Sequence, residues 1–216
     1  MSHGQRTPVP HGLSDLRAGG DVEARPDAFE PGAGRGVPTW LAMTLNYCSR
    51  CGAALRLGTL PAEDRDRLAC DACGYIAYVN PRLVVTTLPV NDAGEVFLLR
   101  RGIEPGRGLW AQPGGFMEID ETVHEGAIRE TLEETGLVVE PGEVVGLYTR
   151  PEAAIVVIAF VARIVGGAPM VTPEALEVRP FAPEAIPWPE LAFRSSEWAL
   201  RDWVRRVRPD LAQDSR

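Results

Sequence analysis

Residues Gly115–Leu137 read GFMEIDETVHEGAIRETLEETGL. After Gly115 come five residues and then Glu121, seven more and then Arg129 and Glu130, followed by Glu133, Glu134 and Gly136. Thr122 and Glu125 have the spacing of a capping box, and Gly136 suits a left-handed stop, so a helix is expected between them. Val123, Ala127, Ile128, Thr131, Leu132 and Thr135 recur at three- and four-residue intervals and predict its packed side. Glu130, Glu133 and Glu134 project from the adjacent side, with Glu130 and Glu134 one turn apart. Gly126, one turn before Glu130, leaves that side unobstructed.

Carboxylates crowded on one stretch of helix repel, so solvent, Arg129 or a divalent metal must compensate. Oxygen ligands at this density favour Mg²⁺ or Mn²⁺. A bare Glu-Glu pair would read as a solvated acidic face, with Arg129 pairing to Glu133. The whole spacing Gx5Ex7RExxEExG reverses that preference, and it resembles the signature of the Nudix hydrolases. Thr131 departs from the pattern, which prefers Leu, Ile or Val there. The resemblance implies that the Gly115 carbonyl is a metal ligand and that Glu121 and Arg129 form a structural salt bridge locking loop to helix. It implies Glu130 and Glu134 as metal ligands, with Glu133 sharing that role or acting as the base. A base from outside the helix is the alternative; Glu177 is the first candidate and Glu174 the second.

Outward from the helix, Leu83 to Val90 and Glu95 to Arg101 read as strands joined by the turn Asn91 to Gly94. Val144 to Thr149 and Ala175 to Phe181 also read as strands, and the long apolar run Ile155 to Val165 suggests a central one. Ser196 to Val207 predicts a packing helix ending before Pro209. This order fits the Nudix α/β/α sandwich with a mixed sheet, an α/β fold.

Upstream, Cys48-x2-Cys51 and Cys70-x2-Cys73 are separated by eighteen residues, and each pair is followed by glycine. Four thiolates so spaced close a tetrahedral Zn²⁺ site with no open position, so a structural zinc ribbon is expected. Two disulfides or a redox Cys-x-x-Cys are the alternatives, disfavoured by the lack of a secretion signal and by the paired knuckles. The expected organisation is a disordered tail over 1–43, the zinc ribbon over 44–79, a Nudix domain over 80–208 and a C-terminal tail over 209–216. The first forty residues hold seven Gly and five Pro with no periodicity. Met43, just before the first organised segment, reads as an alternative start.

The formal charge is −8, and all 22 basic residues are arginine. Such acidity argues against broad charge-driven nucleic-acid binding. No apolar run is long enough to cross a membrane, and the first residues lack the apolar core of a signal peptide, so a cytoplasmic protein is expected.

Beyond the signature, the four-Cys ribbon, Asn80-Pro81, Arg100–Glu118 (RRGIEPGRGLWAQPGGFME) and Leu176–Phe193 (LEVRPFAPEAIPWPELAF) look like bacterial and plastid zinc-ribbon Nudix proteins. Some of that group act on ADP-ribose and FAD. Similar NADH pyrophosphatases carry SQPWPFPxS after the signature, which Glu140–Ile155 lacks. The resemblance therefore implies metal-dependent hydrolysis of a nucleoside diphosphate linked to a second moiety, ADP-ribose or FAD foremost. NADH or NAD-capped RNA is the alternative substrate, and a non-enzymatic nucleotide-binding adaptor the alternative class. Phe116 and Tyr148 are candidates to stack on the base, Arg100 and Arg101 to reach phosphate. Because the family often pairs, a homodimer is also expected.

Overall fold

The computed structural model describes residues 45–60 and 66–211; the expected N-terminal tail and most of the expected C-terminal tail lie outside them. The chain divides between Tyr78 and Val79 into two compact units.

The first unit is an antiparallel sheet of β1 (Arg56–Thr59), β2 (Asp66–Ala69) and β3 (Ile76–Ala77), in that order. Each cysteine pair lies in a tight turn. The N–H of Gly52 donates to the Cys48 carbonyl, and that of Gly74 to the Cys70 carbonyl, both at 2.9 Å. Both glycines have φ above 70°, where a Cβ would be strained, so the glycine after each knuckle is a backbone requirement.

The second unit contains strands β4 (Arg82–Val90), β5 (Val96–Arg101), β6 (Trp110–Ala111), β7 (Gly114–Phe116), β8 (Leu137–Arg150), β9 (Ile155–Gly167) and β10 (Ala175–Phe181). Its helices are α1 (Val123–Thr135) and α2 (Arg194–Val207). The sheet order is β10-β5-β4-β9-β8, with β6 on β5 and β7 on β4. β4 and β9 run parallel while the other paired strands are antiparallel, so the sheet is mixed.

Alternation along β4 and β9 sorts the core into two layers. Val85 and Phe160 pack with Ala127 of α1. Leu88, Val157 and Ala159 pack with Leu200, Trp203 and Val204 of α2. The helices therefore cover opposite faces, giving an α/β/α sandwich.

Three sequence expectations change. β8 begins at Leu137, directly after α1, rather than at Val144. The Pro141-Gly142 pair reads as a turn, but the strand absorbs it as register shifts between Pro141 and Gly146. Leu132, expected on the packed side of α1, is 44% exposed, whereas the charged Glu134 is only 8% exposed. Gly126 does more than leave a face clear: a Cβ there would lie 2.7 Å from Oε1 of Glu121, so the glycine makes room for that carboxylate.

Candidate active site

The capping box forms as the sequence predicts. The Thr122 hydroxyl accepts from the N–H of Glu125, whose carboxylate accepts from the N–H of Thr122. Gly136 closes the helix at φ 74°, its N–H donating to the Leu132 carbonyl.

Between these ends, Arg129 organises the acidic side. Its Nε and Nη2 donate to the two oxygens of Glu121 at 2.9 and 2.7 Å, and its Nη1 donates to Glu130 at 2.7 Å and to Glu133 at 3.2 Å. Nη2 also reaches the Phe116 carbonyl. Glu121 accepts a further bond from the N–H of Glu118. These donors hold its carboxyl down at about 2, the Arg129 hydrogen bonds contributing most.

Glu130 lies over the backbone of Gly115, where a Cβ would come within 2.4 Å of its carboxylate. Burial pushes its pKa upward. Glu134 is buried, and its Oε2 accepts the Gly114 N–H at 2.8 Å. Burial dominates there and lifts the carboxyl to about 7. Glu133 keeps its side chain 59% exposed. Crowded, partly desolvated carboxylates beside an accessible glycine backbone are a donor set suited to a hard divalent cation.

These groups border a cleft of about 1110 Å³. Its floor includes Val84, Thr86, Ile155 and Val157, from β4 and β9. Arg82 of β4 and Arg150 of β8 both register on Ile155 of β9, so three adjacent strands carry two guanidinium groups to one level of the cleft. Arg101 lines it as well, bonded through Nε to the Pro105 carbonyl at 2.8 Å, with its guanidinium 4.9 Å from the Phe193 ring centre. Phe116 lies half exposed in the cleft with Arg82 over its ring at 4.1 Å.

The structure thus brings Gly115, Phe116, Arg101, Glu130, Glu133, Glu134 and Glu174 to one cleft. It does not bring Glu177, Arg100 or Tyr148 there. Glu177, on β10, faces Arg100 of β5 and Arg179 of its own strand. Arg100 turns to the Gly108 carbonyl at 2.8 Å. Tyr148 is buried against α2, its hydroxyl donating to Asp202 at 2.8 Å. Alternation explains Arg100: neighbouring residues of a strand point to opposite faces, so Arg101 enters the cleft and Arg100 does not. Tyr148 shares the sheet face of Arg150 but lies one residue pair further along β8, where α2 covers it. Sequence reasoning missed Arg82, Arg150, Gln112, Phe193 and the Ser195-Ser196 pair, because strand register rather than local spacing assembles them.

In the ribbon, all four cysteine sulfurs lie within 4.8 Å of one another and none is in a disulfide. Cys48 Sγ is 3.7 Å from Cys73 Sγ, and Cys51 Sγ is 3.5 Å from Cys70 Sγ. Four thiolates around zinc at about 2.3 Å would stand roughly 3.8 Å apart, so the cluster fits that ion.

The NUDIX domain family matches residues 80–204, more than half of the chain. The chain belongs to the Nudix family. The Nudix N-terminal zinc-ribbon family matches residues 46–79. A Nudix hydrolase of known structure from Nitrosomonas europaea is 36% identical with a TM-score of 0.69, covering 76% of this chain and 94% of its own. An ADP-ribose pyrophosphatase from Methanocaldococcus jannaschii is 32% identical over 61% of this chain and 78% of its own length. An NAD-capped RNA hydrolase, NudC, from Stutzerimonas stutzeri is 27% identical over 70% of this chain; the match spans about half of that relative, 53%. Among the described residues no helix is long and apolar enough to cross a membrane.

Proposed function

We propose that this Nudix hydrolase cleaves the diphosphate of a nucleoside diphosphate joined to a second moiety, with ADP-ribose or FAD as the foremost substrates. The observation that carries this is charge placement. Glu130 and Glu134 hold one side of the cleft, while Arg82, Arg101 and Arg150 line it from other elements. A diphosphate would fit between such walls, with the arginines binding its oxygens directly and the carboxylates holding the divalent cations that would screen its charge. The likeness to the ADP-ribose pyrophosphatase of Methanocaldococcus jannaschii supports the substrate class.

Glu130, Glu133, Glu134 and the Gly115 carbonyl would hold Mg²⁺ or Mn²⁺, and the four cysteines Zn²⁺. When bound, the divalent ion screens phosphate charge and acidifies a coordinated water. The Arg82, Arg101 and Arg150 guanidinium groups orient the diphosphate. Glu121 and Arg129 fix the loop before α1 to the helix, so that the Glu130 carboxylate stays over Gly115. Glu174 takes the proton from the attacking water, since it lines the cleft and Glu177 does not. We further propose a homodimer, which light scattering tests.

The experiment is phosphate release, coupled to alkaline phosphatase, from ADP-ribose, FAD, NADH, NAD and nucleoside triphosphates with Mg²⁺ or Mn²⁺, beside Glu134→Gln. A glutamine still accepts the Gly114 N–H, so the fold survives while turnover drops by about 10²-fold or more. A wild type inert on the whole panel while folded and zinc-loaded would move the nucleotide-binding adaptor to first place. The likeness to NudC favours a second reading, NADH or NAD-capped RNA, which the same ranking of substrates decides.

A further inference from the structure

Gln112 is 6% exposed, and its Oε1 has no hydrogen-bond partner among the described residues. A buried acceptor left unpaired costs free energy, so a cleft-lining residue in this state is matched to a donor that arrives with a ligand. Gln112 lines the cleft together with Phe193, Ser195 and Ser196 at the start of α2.

A backbone bridge ties the two segments that carry these groups. Trp110 bridges Leu191 in parallel, and the Ala192 N–H donates to the Trp110 carbonyl at 2.8 Å. Gln112 and Phe193, the N-cap of α2, each lie two residues beyond this bridge, and both line the cleft. No side chain caps this fourteen-residue helix. The N–H groups of Ser196 and Glu197 donate to the Phe193 carbonyl, which leaves those of Arg194 and Ser195 as the donors at a positive helix end. Ser195 and Ser196, in its first turn, are 7% and 1% exposed.

We infer that Gln112 and the open N-terminus of α2 form a subsite that reads the edge of a nucleobase bearing an amino group beside a ring nitrogen. This deepens, and rests on, the reading of the chain as a nucleotide pyrophosphatase. The ligand must present a donor to Oε1 and an acceptor to the α2 N–H groups, and an amino nucleobase shows both on one edge. A phosphate offers acceptors alone and would set an anion against Oε1. The pairing of a carboxamide with an adenine edge has this same donor and acceptor pattern. Phe193, with Arg101 over its ring, supplies a flat wall nearby. Gly114, whose N–H holds Glu134, is two residues beyond Gln112, at most about 7 Å along the chain. A nucleotide would bridge that span, its base at Gln112 and its phosphates toward the cations that the carboxylates would hold.

The test is isothermal titration of the full chain, in Mg²⁺, with AMP and with IMP, which exchanges the amino group for a carbonyl. Wild type binds AMP roughly tenfold tighter or more, and Gln112→Met, of similar length but without the amide, brings the ratio to within about twofold. A wild-type ratio near one overturns the inference, as does a Gln112→Met protein that keeps the wild-type ratio. The wild-type ratio decides by itself if the variant does not fold. ADP-ribose turnover is followed in the same samples: its absence from wild type counts against the pyrophosphatase reading, whereas the AMP to IMP ratio reports on the subsite alone.

Discussion

Thr131 stands where the signature prefers an aliphatic side chain, and its hydroxyl is fully used. It donates to the Ala127 carbonyl and meets the Thr87 hydroxyl at 2.7 Å, both threonines being 0% exposed. Thr131→Val should cost about 1–3 kcal/mol in urea unfolding, because the Thr87 hydroxyl is left buried and unpaired. Adding Thr87→Val should recover most of that loss, a coupling that a double-mutant cycle reads directly. Glu134 and Glu121 carry opposite pH signs. Glu134 rises from 4.5 to about 7 in the fold, so the folded state binds the extra proton between these values. Metal-free stability should therefore fall as pH rises through that window, and Mg²⁺ should reverse the loss. Glu121 drops from 4.5 to about 2, so its contribution is complete above 4.5 and is lost as pH falls toward 2. Glu121→Gln should flatten the acid limb of a stability titration, while a limb unchanged by the mutation would break the link to Arg129.

At the scale of the element, α1 depends on how it stops. Gly136 holds φ 74°, and a Cβ there would lie 2.6 Å from the Ala168 carbonyl oxygen. Gly136→Ala should cost about 1–2 kcal/mol or more, adding a close contact to left-handed strain, and thermal melts would show it. This helix and the ribbon knuckles were legible in the sequence because caps, glycines and ligands sit at fixed local intervals. β8 was only half legible, since Pro141 and Gly142 mimic a turn that the strand absorbs as irregular register. The carboxylate side of the site was legible for the same local reason. Its arginine side was not: Arg82 and Arg150 meet across Ile155 only because β4, β9 and β8 are neighbours, an order that no short-range pattern encodes. Glu177 misled because a carboxylate at a strand start carries no sign of which face it will take.

For the whole molecule, the two units hold together by different means. Residues 79–211 bury a continuous apolar core under α2, including Leu88, Leu98, Phe181 and Trp203. The ribbon has strands of four, four and two residues, and among the described residues its buried apolar side chains are Cys48, Leu68, Ala69, Cys70 and Ala77. Two of those five are cysteines of the four-sulfur cluster itself, so little is left to offset chain entropy of about 1–2 kcal/mol per residue. Structural zinc contributes about 10–16 kcal/mol in zinc-finger peptides, so the proposed zinc would be enough to fold this ribbon. Stripping metal with a strong chelator under reducing conditions should therefore abolish amide protection over residues 46–78 while that of residues 80–204 persists, as hydrogen exchange with mass detection would report. Metal analysis should return one zinc per chain, lost in the same step. Protection that survives in the metal-free chain, with an intact mass four protons light before reduction, would instead assign the cysteines to two disulfides.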